Sequence, residues 1–200
     1  MTEPSALVWH FASPLTVISS APLGGGIGRR DFVLNAQVPR DYTRTDIDDH
    51  LREIAAAHGC RGDGVGMLTA VRVARATEAV EGGVRVCATV GVTSPTWASD
   101  HDGAVSGYRP GTINIVAFVP ALLDDSALVN AVITVSEAKA QALIERGVPG
   151  TGTASDAVCI ACEPSDGSRE RFGGPRSRIG APLARATHAA VTAGLQADAP

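Results

Sequence analysis

The chain has 200 residues, 44% hydrophobic and 19% charged, which is enough for one globular domain with a real core. Its formal net charge is −4 and its pI about 5.7. That argues against the clustered positive charge needed to hold a phosphate backbone, so no nucleic-acid partner is expected. Aromatic residues are 4% of the chain, too few for an extended stacking surface.

The start carries Glu3 and Pro4 and its first apolar run breaks at His10, unlike a secretory signal. No uninterrupted apolar run approaches the ~18 residues of a membrane span. A cytoplasmic protein with no membrane partner is the expectation.

In chain order, residues 7–11 and 15–19 read as short strands divided by the turn signal Ser13-Pro14. A glycine loop follows at 24–28, then a strand over 31–38 that Pro39 ends. Residues 45–58 read as a helix with Thr45 or Asp46 as N-cap and Gly59 as its stop. Ile47, Leu51, Ile54 and Ala55 form one apolar face on it. The runs 67–73 and 84–90 read as strands. Residues 74–80 fit a helix or a hairpin, with Gly82-Gly83 as a turn in either case. A strand over 113–119 precedes a long helix from Asp124 or Asp125 to about Arg146, closed by Gly147. Its apolar surface fits either the core or a homodimer interface. Residues 156–163 form a strand, 169–178 a polar loop and 180–195 a last amphipathic helix, with the tail 196–200 frayed. The pattern predicts an α+β fold, a mixed or mostly antiparallel β-sheet packed with about three helices, in a single domain over 1–200. The order from 111 to 195 fits one crossover unit.

Cys159 and Cys162 form a C-x-x-C without a second ligand pair, since Cys60 and Cys87 lie far off. On a strand the two would face opposite ways. They read as buried thiols, and no metal is expected. His10, His50, His58, His101 and His188 show no metal-ligand spacing either.

The densest concentration of chemistry is Gly150-Thr151-Gly152-Thr153-Ala154-Ser155-Asp156, just before a β-prone run. Such a loop gathers backbone N–H groups, hydroxyls and one carboxylate. Segments 23–28 and 111–114 have the same character, which suggests a site assembled at strand ends. A nucleotide-binding reading of these loops lacks the P-loop lysine element.

A series of motifs in order carries a resemblance. They are Ser20-Ala21-Pro22-Leu23-Gly24-Gly25-Gly26, then Leu34-Asn35-Ala36-Gln37-Val38-Pro39, then Gly66-Met67-Leu68-Thr69-Ala70. Gly111-Thr112-Ile113-Asn114 follows, then Glu137-Ala138-Lys139, then Thr151-Gly152-Thr153 with Ser155-Asp156-Ala157, then Gly173-Gly174-Pro175 and Ile179-Gly180. Together, over residues 20 to about 190, they resemble the adenosylcobinamide amidohydrolase (CbiZ) family. Ser155 stands where a threonine is common, and the C-x-x-C is not part of the pattern.

The resemblance implies corrinoid salvage: hydrolysis of the amide joining a ring propionate of adenosylcobinamide to aminopropanol, giving adenosylcobyric acid and 1-amino-2-propanol. The corrinoid, with its own cobalt, is then the substrate partner, and no cofactor is expected. Amide hydrolysis needs a nucleophile, oxyanion stabilisation and a proton for the leaving amine. Asp156 or Asp63 would activate water, with backbone N–H groups of 150–153 and Asn114 or Asn35 on the oxyanion. Alternatively Thr153 or Ser155 attacks, with Lys139 or a histidine as base. Glu137 and Lys139 are both raised by the resemblance, but two apart on a helix they do not face the same way. Gly24, Gly25, Gly26 and Arg29 are expected to touch substrate, with Asn35, Thr69, Asn114, Thr151 and Ser155. Trp97 and the loop Ser168–Arg178 are rim candidates. A non-catalytic corrinoid-binding or sensing module is the alternative.

Overall fold

The computed structural model describes residues 5–100, 111–163 and 169–197. His101 and Ser168 lie outside the described residues.

The first strand, β1 (Ala6–Ser19), is one strand rather than two. Its pairing with β2 (Gly26–Gln37) shifts register between His10 and Leu15. Pro14 has no N–H to give the ladder, and this irregularity is where a strand tolerates it. β2 begins inside the expected glycine loop, so only its first half is a turn, with Gly24 at φ +68 and Gly26 at φ +81.

Helix α1 (Ile47–Ala57) starts after Asp46, whose side chain makes no capping bond. Arg44 takes that carboxylate instead at 2.6 and 2.9 Å and holds its pKa down at about 2. Leu51 and Ala55 bury against Phe32, Leu34 and Ala36 of β2. β3 (Gly64–Thr69) pairs parallel with β2 and lies three to four residues earlier than the sequence suggested. Gly64, without a Cβ, lets the Phe32 ring lie against the strand.

After a single 3-10 turn at Val73–Arg75, β4 (Thr77–Glu81) and β5 (Val84–Gly91) form a hairpin. Its turn glycines both have positive φ, as a two-residue turn of this kind demands. This settles residues 74–80 in favour of the hairpin. β6 (Thr112–Val119), β7 (Leu122–Leu123) and α2 (Asp125–Glu145) follow. β8 (Ala157–Cys162), β9 (Arg169–Glu170) and α3 (Gly180–Ala197) complete the chain, with β7 and β9 pairing as a small separate sheet.

The main sheet has seven strands in the order β3-β2-β1-β8-β6-β5-β4. β2 with β3 and β6 with β8 are parallel, each joined through a helix, and the other neighbours are antiparallel. The result is the α+β arrangement expected, with three α-helices among the described residues.

The sheet curls strongly, so that β3 comes to face β6 although both ends of the sheet stay open. β3 and β6 are four strand spacings apart, about 19 Å in a flat sheet. Yet Asn114 on β6 donates to the Leu68 carbonyl on β3 at 2.9 Å. The inner face therefore packs Val17, Val33 and Met67 against Val116, Phe118 and Cys159. The outer face of β5, β6 and β8 carries Val86, Ile115 and Ile160 onto Leu128, Val135 and Leu183 of α2 and α3.

Cys159 belongs to the inner cluster and Cys162 to the outer one, as odd spacing on a strand requires. Both are free, and burial pushes the Cys159 thiol up to about 12. By length and composition alone α2 could cross a membrane. Here much of its apolar surface belongs to the core, while Val129, Ile133 and Ile144 stay exposed.

Candidate active site

The loop between α2 and β8 delivers Asp156 one residue before β8 begins. Asp156 Oδ1 accepts from the Ile113 N–H at 2.9 Å and lies 2.5 Å from the Thr153 hydroxyl. Oδ2 accepts from the Thr153 N–H at 3.1 Å and from the Lys139 ammonium. The Lys139 and Asp156 side chains are only 12% and 11% exposed. Lys139 comes from α2, Ile113 from β6 and Thr153 from the loop, so one carboxylate ties three segments together.

Gly152 lies against this pair, where an added Cβ would overlap both Asp156 Oδ2 and Lys139 Nζ. A Cβ on Gly150 would run into the Thr96 backbone. Thr96 straps the loop from outside: its N–H donates to Gly152 O at 2.8 Å and its carbonyl accepts from the Thr151 N–H at 2.9 Å. The two glycines thus permit close packing rather than exposing a row of N–H donors.

Most of the donors expected for the oxyanion are engaged within the protein. The N–H groups of Gly150, Thr151 and Thr153 are given to Val148 O, Thr96 O and Asp156 Oδ2. Asn114 Nδ2 donates to Asn35 Oδ1 at 2.8 Å and to Leu68 O at 2.9 Å, and Asn35 Nδ2 donates to Thr89 Oγ1 at 3.0 Å. The asparagines are linked to each other, not poised as donors.

The Thr153 hydroxyl also faces Gly111 O at 2.8 Å, which accepts from the Ser155 hydroxyl at 3.1 Å. A hydroxyl carries one proton, so Thr153 gives it either to this carbonyl or to Asp156. The shared acceptor holds the Thr153 and Ser155 oxygens within about 6 Å of each other. Ser155 in turn meets Thr112 Oγ1 at 2.8 Å.

Ser155, Thr112, Asn114 and Thr69 line a cavity of about 250 Å³ whose other walls include Pro39, Ile47 and Met67. It adjoins a second cavity of about 340 Å³ that shares Val38, Pro39, Ala70 and Thr112 and adds Arg40 and Arg75. The structure thus unites Asp156, Thr153, Lys139, Thr151 and Ser155 in one loop network, and Ser155 joins it to the cavity wall of Asn114 and Thr69. Asn35 stands just behind that wall, hydrogen-bonded to Asn114.

Other expected residues lie elsewhere. Asp63 is exposed and lines a separate cavity of about 500 Å³ with Gly24 and Arg30, against α1. Gly25 packs on the carbonyl of Ala21, Gly26 opens β2, and Arg29 donates weakly to Thr16 at 3.4 Å beside a further cavity. Glu137 is exposed on the opposite side of α2 from Lys139, near Gln141 and His188. Trp97 is 46% exposed and does not fill the core. Among the described residues no three His, Cys, Asp or Glu side chains converge.

Thr89 was not singled out by the sequence, and Thr112 only as part of the motif Gly111-Thr112-Ile113-Asn114. Thr112 was detectable, since it stands two residues before Asn114 and strand alternation puts both on one face. Thr89 had no comparable signal.

The adenosylcobinamide amidohydrolase (CbiZ) family model matches residues 1–199. An adenosylcobinamide amidohydrolase of Halobacterium salinarum is 35% identical over 196 residues, covering 94% of this chain and 84% of that protein. One of Methanosarcina mazei is 30% identical over 187 residues, covering 88% of each. A solved structure of a Pyrococcus horikoshii protein covers 93% of this chain and 72% of its own at 10% identity and a TM-score of 0.45. With its loop network, its ordered motifs and a family match over nearly the whole length, the chain belongs to the adenosylcobinamide amidohydrolase family.

Proposed function

We propose that the protein hydrolyses the amide between a corrin-ring propionate of adenosylcobinamide and its aminopropanol arm. The products are adenosylcobyric acid and 1-amino-2-propanol. The observation that carries this reading, beside the family, is the line Lys139–Asp156–Thr153 next to a small cavity.

Of the two routes to hydrolysis, the geometry favours attack by the Thr153 side chain. When the Thr153 hydroxyl gives its proton to Asp156 rather than to Gly111 O, each carboxylate oxygen has two donors and no position is left for a water molecule. The Thr153 hydroxyl is the one donor there that can surrender its proton and attack. Thr153 Oγ1 bonds to the amide carbon while its proton passes to Asp156 Oδ1, and the carbonyl electron pair moves onto oxygen. The C–N bond then breaks, its electron pair stays on nitrogen, and that nitrogen takes the proton from Asp156. Water cleaves the threonyl ester by the same route and regenerates the hydroxyl. Lys139 keeps its proton throughout and acts as the counter-ion of Asp156, not as a base.

The corrin ring is far larger than the 250 Å³ cavity. The reading therefore has the ring outside and one amide arm inserted. It carries with it a cytoplasmic enzyme, which four unpaired cysteines support.

The deciding experiment incubates purified protein with adenosylcobinamide, with and without chelator, and follows cobyric acid and aminopropanol by mass spectrometry. Both products in both tubes uphold the reading. Corrinoid binding without product assigns the protein to a binding or sensing role instead.

A further inference from the structure

Asn114 is 1% exposed, yet its Oδ1 has no hydrogen-bond partner among the described residues. Buried polar atoms are almost always paired, so an orphaned acceptor calls for an explanation. The amide cannot be turned over to remove it. Its NH2 end faces two acceptors, Asn35 Oδ1 at 2.8 Å and Leu68 O at 2.9 Å. Reversal would set the Asn114 oxygen against the Leu68 carbonyl, which has no proton to offer. Asn35 is itself held, its Nδ2 donating to Thr89 Oγ1 at 3.0 Å. The relay Thr89–Asn35–Asn114–Leu68 thus fixes one lone acceptor in place.

Asn114 lines the 250 Å³ cavity, and Thr112, two residues before it on the same strand face, brings the Ser155 hydroxyl to that wall at 2.8 Å. The walls at Pro39, Ile47 and Met67 are apolar, with Thr69 and Tyr42 beside them. A cavity of this size and lining suits a short aliphatic arm that brings one donor. Resting on the hydrolase reading above, we propose that Asn114 Oδ1 accepts the N–H of the scissile amide. Asn114 thereby positions the amide, with its methyl-bearing arm in the apolar pocket and its carbonyl turned away from the asparagine. In this role Asn114 selects for an amide over an ester, because only the amide has a proton to give.

The test compares adenosylcobinamide with the analogue in which an ester oxygen replaces the arm's N–H. Wild type and Asn114→Ala are both assayed, with thermal unfolding as a check on folding. The expected result is a loss of about 30-fold in kcat/KM on the amide and under about 3-fold on the ester. Equal losses on both compounds overturn the proposal and leave Asn114 a structural residue. Failure of the hydrolase reading looks different, since wild type then cleaves neither compound. Affinities carry the test in that case: an amide preference that Asn114→Ala abolishes upholds the acceptor, and equal affinities in wild type overturn it. If Asn114→Ala does not fold, Asn114→Ser keeps a polar atom on the strand but withdraws the acceptor, and serves the same comparison.

Discussion

Thr153 Oγ1 stands 2.5 Å from Asp156 Oδ1, while Asp156 Oδ2 accepts from the buried ammonium of Lys139. The three groups form a line in which a hydroxyl proton can move to a carboxylate whose charge a fixed cation balances. The same carboxylate also closes the loop onto β6 through Ile113. On the proposed mechanism Asp156 therefore serves both the chemistry and the loop architecture.

Thr153→Ser keeps the attacking oxygen and should retain activity within about 10-fold. Thr153→Val keeps the shape and removes the oxygen, and should lower kcat by at least about 10³-fold. Rapid quenching followed by intact-protein mass spectrometry should show a transient cobyryl ester on wild type and none on Thr153→Val. Activity retained in Thr153→Val would return the attack to water.

Removing one member of the ion pair strands the other inside the protein. Lys139→Met and Asp156→Leu should each cost about 3–5 kcal/mol in unfolding free energy. The double variant Lys139→Met/Asp156→Leu should recover much of that stability, because no unpaired charge remains. It should recover no activity. Urea unfolding and a turnover assay on the three proteins check both halves. A double variant as unstable as the singles would mean that the Ile113 and Thr153 contacts, not the ion pair, dominate.

Gly152→Ala adds one carbon where Asp156 Oδ2 and Lys139 Nζ already lie. One of them must shift, at a cost of about 1–3 kcal/mol. Activity should fall at least about 10-fold, since the Asp156 carboxylate would turn away from Thr153. Gly147→Ala is the contrast: it has open space but φ +72, so it should lose stability through backbone strain and keep its activity.

Asp156 and Asp63 show what the sequence could and could not convey. Both are loop aspartates: Asp63 is flanked by Gly62 and Gly64, and Asp156 closes the denser Gly/Thr/Ser loop, but neither neighbourhood shows what the fold brings against it. Their fates differ because Asp156 precedes β8, which lies inside the sheet under α2, whereas Asp63 precedes the edge strand β3. Most helix and strand types followed from periodicity, apart from the shift of β3, the undivided β1, residues 74–80, which periodicity left open, and the short β9 inside the expected loop. The pairing of Asn35 with Asn114, 79 residues apart, depends on the curl of the sheet, which no local pattern encodes. Glu137 and Lys139 were separable in advance only as opposite faces of one helix, not as to which face meets the 150–156 loop.

Asp63→Asn and Glu137→Gln should therefore leave kcat/KM within about 2-fold of wild type and unfolding free energy within about 0.5 kcal/mol. A large loss of activity in Asp63→Asn would move the reaction to the cavity beside α1 and remove Asp156 from the chemistry.

The last prediction concerns alkaline pH. Burial pushes the thiols of Cys87 and Cys159 up to about 12, from 9.0 in the unfolded chain. Between those values the folded state keeps protons that the unfolded state releases, so stability falls as pH rises. Each thiol contributes its full share below about pH 9 and loses about 1.4 kcal/mol per pH unit above it. Urea midpoints should therefore be level from pH 7 to 8.5 and drop steeply toward pH 11. Cys87→Ala should flatten that slope in part, since burial also raises the thiols of Cys162 and Cys60. The native thiols should also resist alkylation at pH 8.5 until denaturant is added, because a thiolate cannot form in the core while the sheet stays folded. Rapid alkylation of Cys159 in the native protein would show that the inner face opens to solvent.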